Sequence, residues 1–252
     1  MAKIEKISCD SSPLIKGLTH ERIREILTSP DWNEEWDTVS REVKALGGAI
    51  GPSAVNEGER RTLYTLARAL DAHSVLEVGT NVGGSTVYLA AALRENARKA
   101  GAAHMVTIDV VDQNGPDSVA KSLHHASPRE MIGMMGAEAW VSFIVEPSLS
   151  YLARSKTKFD LIFLDGDHAA PTVYRELPAA MRALNPGGVI LLHDYFPEGK
   201  ALYPDRKIIP GPWLAGQRFQ REGASFDVIP LGALPWETKL GSKLTVLAMV
   251  VG

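Results

Sequence analysis

The sequence predicts an α/β domain built on a mostly parallel sheet with helices on both faces. From about residue 72 onward, short apolar runs alternate with segments long enough for a helix, which is typical of β-α-β repeats. A glycine turn at 79–84 joins the first run to an amphipathic helical pattern, as a nucleotide-binding turn does. The 252 residues suffice for one such domain with an attached segment.

Seven apolar runs supply the expected strands. Five are separated by helix-length segments, so we expect them to be parallel and to present a ligand at their carboxyl ends. The last two are joined by a return at 232–242 that predicts an antiparallel last strand. The predicted strands are 74–79, 104–110, 140–145, 159–165, 188–194, 225–231 and 243–251.

Residues 1–70 precede the sheet and show amphipathic helical patterns at 21–27, 36–46 and 58–70. No separate domain boundary is visible among them. We therefore expect cap helices that pack beside the ligand site.

Composition excludes several classes of function. A formal net charge of −3 and scattered basic residues argue against a nucleic-acid partner. The single cysteine, Cys9, rules out an internal disulfide and a cysteine-based zinc site. Residues 1–17 lack the apolar core of a signal peptide, and no apolar run approaches the roughly 20 residues of a membrane span. A cytoplasmic protein is expected.

The glycine turn does not have the spacing of a dinucleotide site. Its glycines at 79, 83 and 84 lack the G-x-G pair that brings backbone amides close to a pyrophosphate. Glu77, two residues before Gly79, would repel that anion. The turn favours a ligand without phosphate and with a positive centre, and S-adenosylmethionine is such a ligand.

Cofactor contacts are expected at three strand ends. Gly79 and Gly83 would let the backbone approach the ligand, while the helix that begins near Ser85 suits its carboxylate. A single carboxylate at Asp109 can accept from both ribose hydroxyls, and adenine would lie near Ser148. Thr80 and Val110, beside these groups, complete this part of the expected site.

Four motifs together resemble the class I S-adenosylmethionine-dependent O-methyltransferases, in particular their catechol and macrocin-type small-molecule branches. The motifs are LEVGTNVGGS, TIDV, FDLIFLDGDH and LNPGGVILLHDY, and the resemblance covers residues 53–252. It implies a Rossmann-like seven-stranded sheet with an antiparallel last strand. Residues 1–52 would then be an N-terminal helical cap, and 53–252 the methyltransferase domain. The segment AVNEGERR resembles the one that packs on the methionine end of the cofactor, which implicates Val55, Asn56 and Glu57.

Acidic and histidine side chains follow strands four and five. Asp165 and His168 come after the fourth strand and His193 and Asp194 after the fifth, where they can converge on a divalent cation. In the resembled families the matching acids hold Mg²⁺, so the resemblance implies Asp165 and Asp194 as ligands. The third ligand is left open between His193 and Asp167, and a softer metal or none stays an alternative.

The catalytic base is expected at His168, three residues after Asp165, where the catechol branch carries its lysine. An imidazole with a pKa near neutrality can take a proton from a hydroxyl. The alternative is that Asp167 and His168 only cap the next helix. A proline- and glycine-rich segment, 196–213, is expected to form a mobile lid with Trp213 over the substrate.

The expected activity is methyl transfer from S-adenosylmethionine to a hydroxyl of a small molecule, aided by a divalent cation and most readily Mg²⁺. One alternative is a hydroxylase- or lyase-like relative that keeps the fold and metal site. Another is a non-catalytic cofactor-binding or assembly protein, which the combination of Glu77, Asp109, Asp165 and Asp194 argues against. The acceptor is left open among sugar hydroxyls, catechols, polyketide phenols and small acids. We expect neither a nucleic-acid nor a membrane partner, and a homodimer is left open.

Overall fold

The computed structural model describes residues 19–46, 55–123 and 125–251. Seven strands form one sheet in the order β3-β2-β1-β4-β5-β7-β6. Strands β1 to β5 are parallel, and β7 runs antiparallel to both of its neighbours. The predicted Rossmann-like sheet with an antiparallel last strand is therefore confirmed. The strands are β1 Ser74–Val78, β2 His104–Asp109, β3 Val141–Val145, β4 Phe159–Leu164, β5 Leu184–Leu192, β6 Asp227–Pro230 and β7 Ala248–Val251.

Helices cover both faces of the sheet, as predicted. Successive strand residues point to opposite faces, so Leu161 and Phe163 pack in one core while Ile162 and Leu164 pack in the other. Helices α1 to α4 and α6 contribute to the first core, and α7 to α9 contribute to the second. The helices are α1 His20–Thr28, α2 Asn33–Ala45, α3 Glu57–Ala69, α4 Thr86–Ala100, α5 Val119–Ser122, α6 Pro128–Met134, α7 Ser148–Arg154, α8 Ala170–Arg182 and α9 Gly211–Glu222.

The first residues of two strands differ from their predicted positions by four residues or more. β5 begins at Leu184 rather than at 188, because Leu184 pairs with Phe159 before a register shift carries the ladder past the Pro-Gly-Gly turn. β7 is shorter than predicted, with only an isolated bridge between Ala233 and Leu244 preceding it. Neither change moves the carboxyl end of a parallel strand.

The cap helices α1 and α2 pack on the outer side of α3 and α4. Ile23 and Trp36 bury their side chains in that core, and Arg94 of α4 forms an ion pair with Glu42 at 2.5 Å. No residue of 19–46 lines the main cleft, so the expectation of helices beside the site is corrected for α1 and α2, whereas α3 borders the cleft with Glu59 and Arg60. The predicted boundary at 52 and 53 lies outside the described residues, and that division into domains stays a prediction.

No helix in the described ranges is long and apolar enough to cross a membrane.

Candidate active site

A cleft of about 1120 Å³ opens over the carboxyl ends of β1, β2, β4 and β5. This is where ligands of parallel sheets bind, at the point where strand order reverses on either side of β1. Backbone hydrogen bonds continue past the strands and fix the residues at their ends, for example from Asp165 N to Val78 O at 2.8 Å. The cleft brings together many of the predicted site residues: Val55, Asn56, Gly79, Asp109, Val110, Ser148, Asp165, His168, His193 and Asp194.

Five predicted cofactor residues do not line the cleft: Glu57, Glu77, Thr80, Gly83 and Ser85. Glu57, the first residue of α3, points outward and pairs with Lys44 at 2.8 Å. Glu77, Thr80 and Ser85 belong to β1 and the glycine turn and hold the turn from beneath, whereas Gly83 faces α6.

Glu77 is fully buried under the glycine turn and is not at its mouth. Its carboxylate accepts hydrogen bonds from Ser85 Oγ at 2.5 Å, Thr86 Oγ1 at 2.6 Å and Thr107 Oγ1 at 2.6 Å. Thr80 Oγ1 lies 2.7 Å from the same Thr107 hydroxyl. Burial raises the pKa of Glu77 to about 7, against the effect of the three hydroxyl donors. These side chains therefore shape the turn and leave ligand contacts to its backbone.

Glycine is required at the two predicted contact positions for different reasons. Gly79 has a φ of +98°, and a Cβ there would lie 2.2 Å from the carbonyl oxygen of Asp165. No other residue fits between β1 and β4 at this point of the cleft. Gly83, with a φ of +81°, faces Pro128 and Met131 of α6. Its lack of a side chain serves helix packing and not the approach of a ligand.

Asp109 lies at the end of β2, as predicted, with its carboxylate fixed in place. Oδ2 accepts from Asn81 N at 3.0 Å and Oδ1 accepts from Val111 N at 3.0 Å. Asn81 has a φ of +44°, an uncommon backbone conformation for a residue other than glycine. Each oxygen of Asp109 keeps a further lone pair with which to accept from a ribose hydroxyl.

Ser148 begins α7 and donates its hydroxyl to Glu176 of α8. Glu176 lines the cleft yet is only 2% exposed, and burial raises its pKa to about 7. Sequence reasoning missed Glu176 because it lies within a helical segment, far from any strand end.

Asp165, His168 and Asp194 form the group that can hold a metal ion, with one ligand atom of each within 4.8 Å of the others. His168 Nε2 lies 3.3 Å from Asp194 Oδ2 and 3.8 Å from Asp165 Oδ1. Asp194 has a φ of +53°, a strained conformation of the kind that accumulates at functional sites. Two carboxylates and an imidazole fit a hard or borderline divalent cation.

His193, the predicted third ligand, lies outside this group. Its Nδ1 is 2.7 Å from Asp165 Oδ1 and its Nε2 is 3.1 Å from Glu59 Oε2, so a carboxylate faces each ring nitrogen. Burial opposes the charged ring, but the charges of Asp165 and Asp194 outweigh it and raise the pKa of His193 well above its usual value. A protonated imidazole has no lone pair for a metal, so the histidine of this group that could offer a nitrogen ligand is His168.

Asp167 is a turn residue, which was the alternative left open for it. Its Oδ1 accepts from Ala169 N at 3.0 Å and its Oδ2 from Thr172 Oγ1 at 2.6 Å, at the start of α8. The hydrogen bond from Thr172, followed by that from Ala169, lowers its pKa. His168 differs, because its ring faces the acids of the cleft.

Glu59 of α3 is a site residue that the motifs did not predict. It is 1% exposed, and its Oε1 accepts from Thr245 Oγ1 at 2.7 Å, Tyr203 OH at 2.9 Å and Val246 N at 3.0 Å. Burial alone would raise its pKa, but the hydrogen bond and the charge of His193, with the other donors, lower it to about 2. The only signal in the sequence was an acidic residue within the segment GER. The residues that bind Glu59 are too distant in sequence for its role to be predicted.

The segment 196–213 borders the cleft with Phe196, Tyr203 and the residues 207–209. Trp213 does not reach the cleft. It lies in the first turn of α9, with its ring edge-to-face on Tyr195 at 5.7 Å between centroids. The expected position of Trp213 over a substrate is therefore corrected, because helix α9 begins at Gly211 and turns this side chain toward the second core.

The mobile lid remains a prediction that hydrogen exchange can test. Tyr203 is anchored by Glu59, whereas Ile208 is 42% exposed at the border of the cleft. We expect backbone amides at 205–209 to exchange more slowly once cofactor and acceptor are both bound. Equal protection in the free chain would contradict a lid.

Comparisons with known proteins point to methyltransferases. A family model described as a methyltransferase domain matches residues 76–195, which include β1, β2, β4 and β5. A catechol O-methyltransferase of Niastella koreensis is 27% identical over 149 residues, covering 59% of this chain and 61% of that protein. The chain spans about three fifths of the length of the curated relatives it matches.

Solved structures share the fold. Cofactor-bound Rv0187 from MTB has a TM-score of 0.60 at 21% identity, over 93% of this chain and 97% of that chain. The O-methyltransferase from Bacillus cereus in complex with SAH has a TM-score of 0.54 at 20% identity, over 92% of this chain and 96% of that chain. At these identities the structural likeness shows a shared fold. The resemblance to a family comes from the sequence motifs. These comparisons agree with the resemblance to class I S-adenosylmethionine-dependent O-methyltransferases that the motifs predicted.

Proposed function

We propose that the chain transfers the methyl group of S-adenosylmethionine to a hydroxyl of a small molecule. The observation that carries the proposal is the layout of one continuous cleft. Gly79 and Asp109 border it over β1 and β2, and Asp165, His168 and Asp194 border it over β4 and β5. The catechol O-methyltransferase among the relatives supports a hydroxyl acceptor.

The residues of the chain have separate tasks in this reaction. Asp109 would accept from the ribose hydroxyls, and the backbone at Gly79 would let the cofactor approach β1. His168 lies beside the two acids and takes the proton of the acceptor hydroxyl. Because the methyl donor is already activated, aligning donor and acceptor supplies much of the rate.

The same proposal includes a divalent cation held by Asp165, His168 and Asp194. When bound, it would lower the pKa of an acceptor hydroxyl and balance two carboxylates that otherwise repel each other. His168 would then serve as a ligand, and the acceptor proton would leave through solvent. Ligand and base are thus two roles between which experiment must choose.

The alternatives from the sequence are testable together. Incubation with methyl-labelled S-adenosylmethionine and a metabolite extract should yield a labelled small molecule. A hydroxylase- or lyase-like relative would leave the label on the cofactor while changing a metabolite, and an assembly protein would do neither.

Cofactor binding is the first quantitative test. Asp109→Ala should weaken the binding of S-adenosylhomocysteine by about 1–3 kcal/mol, because it removes hydrogen bonds to a charged acceptor. Titration calorimetry on both chains measures the difference. Asp112→Ala is the control, since Asp112 is an exposed acid nearby that only accepts from Asn114 N at 3.0 Å. Tight binding of NAD without heat from S-adenosylhomocysteine would contradict the proposed cofactor.

A further inference from the structure

Glu59 connects three parts of the cleft that are distant in sequence. Tyr203 belongs to the segment 196–213, Thr245 and Val246 lead into β7, and His193 follows β5. All of them donate to the one carboxylate of Glu59, which is buried and nevertheless borders the cleft. A carboxylate with this many donors has little freedom to rotate.

The side chain of His193 extends this connection to the acid cluster. Its Nε2 lies 3.1 Å from Glu59 Oε2, and its Nδ1 lies 2.7 Å from Asp165 Oδ1. A turn of the ring would break both contacts, and the buried Glu59 would lose one of its donors, which is costly. One oxygen of Asp165 thus lies in direct contact with the ring of His193.

Tyr203 completes a chain of contacts from the loop to the cluster. Its hydroxyl donates to Glu59 Oε1 at 2.9 Å, and its ring packs with Phe196 and Val246 in a small core of its own. The order of contacts is Tyr203, Glu59, His193 and Asp165. Through these contacts, a movement of the loop can change the position of the acids in the cluster.

We propose that Glu59 is a positioning residue that couples the loop 196–213 to the Asp165–His168–Asp194 cluster through Tyr203 on one side and His193 on the other. Its relevance to the acceptor rests on the proposed function, but the coupling belongs to the chain itself. In a methyltransferase, the acids would reach their working position only with the loop in place. A purely structural Glu59 would stabilise the fold without passing a change from loop to cluster.

The test uses Glu59→Gln and Tyr203→Phe with two readouts that need no cofactor. Glu59→Gln and Tyr203→Phe should each speed amide exchange at 205–209 by about tenfold or more, the scale of one lost hydrogen bond to a charged group. Tyr203→Phe should also shift the ring ¹⁵N signals of His193, which is assigned by its loss in His193→Gln. In the Glu59→Gln background, Tyr203→Phe should add no further change to either readout, as coupling through Glu59 requires.

Tyr174→Phe is the matched control, because Tyr174 also donates its hydroxyl to a glutamate, Glu222, on the outer side of α8 and α9. It should change neither readout. The proposal is overturned if Tyr203→Phe leaves the His193 signals in place, or if its effect is the same with and without Glu59. Should Glu59→Gln fail to fold, the response of His193 to Tyr203→Phe alone decides. Calorimetry with S-adenosylhomocysteine on the unaltered chain tests the proposed function separately.

Discussion

Asp165→Asn and Asp194→Asn should each lower the rate of methyl transfer by about 10²–10⁴-fold, the range for losing a group that assists proton removal. Both acids belong to the cluster that would hold the cation. Asparagine keeps the shape of the aspartate side chain and removes its charge. The measurement is transfer of labelled methyl to an acceptor identified from a metabolite extract. Asp167→Asn is the control, since both oxygens of Asp167 already accept from the turn before α8. It should keep most of the activity.

Chelation separates the two roles of His168. Treatment with EDTA, followed by Mg²⁺, Mn²⁺, Zn²⁺ or Fe²⁺, should abolish and restore activity if the cluster holds a cation. If stripped enzyme runs at the full rate while His168→Ala is inactive, the cation proposal fails and His168 acts as the base. If His168→Ala retains most of the activity while both asparagine variants are inactive, the acids and a cation suffice.

The sequence predicted the strand ends well because parallel strands impose two simple rules. A buried apolar run marks the strand, and the polar residue directly after it emerges at the ligand edge of the sheet. Asp109, Asp165 and Asp194 obey both rules, and each borders the cleft. The antiparallel last strand followed from the return that joins it to its predecessor.

The sequence predicted less well which side chains near a strand end face the cleft. Glu77 and Gly79 are two positions apart, yet Gly79 borders the cleft and Glu77 lies under α4 among hydroxyl donors. A strand's alternation says that a side chain points to one of two faces, but only the tertiary packing decides which groups meet it there. Glu59 and Glu176 were missed for the same reason: they lie in helices, and their partners come from distant segments.

Glu77 should make the stability of the chain depend on pH in an unusual direction. Its folded pKa is about 7 and its ordinary value is 4.5, so between these the folded chain retains a proton that the unfolded chain has lost. Stability then falls as pH rises through this window, by at most about 3 kcal/mol, and levels off above the folded pKa. A carboxylate whose pKa is lowered by an ion pair or by hydrogen bonds has the opposite effect, because its contribution to stability increases as pH rises.

The comparison that isolates this effect is Glu77→Gln, which fills the same space and carries no charge at any pH. Urea unfolding of both chains between pH 4.5 and pH 8 gives the difference in the free energy of unfolding. The glutamine side chain can accept fewer hydrogen bonds from Ser85, Thr86 and Thr107, so the variant should be the less stable chain at the acidic end. As pH rises, the unaltered chain must ionise a buried carboxylate and the variant must not, so the difference should shrink by about 3 kcal/mol. A difference that stays constant over this range would show that Glu77 is ionised throughout, and that its three hydroxyl donors outweigh the cost of burial.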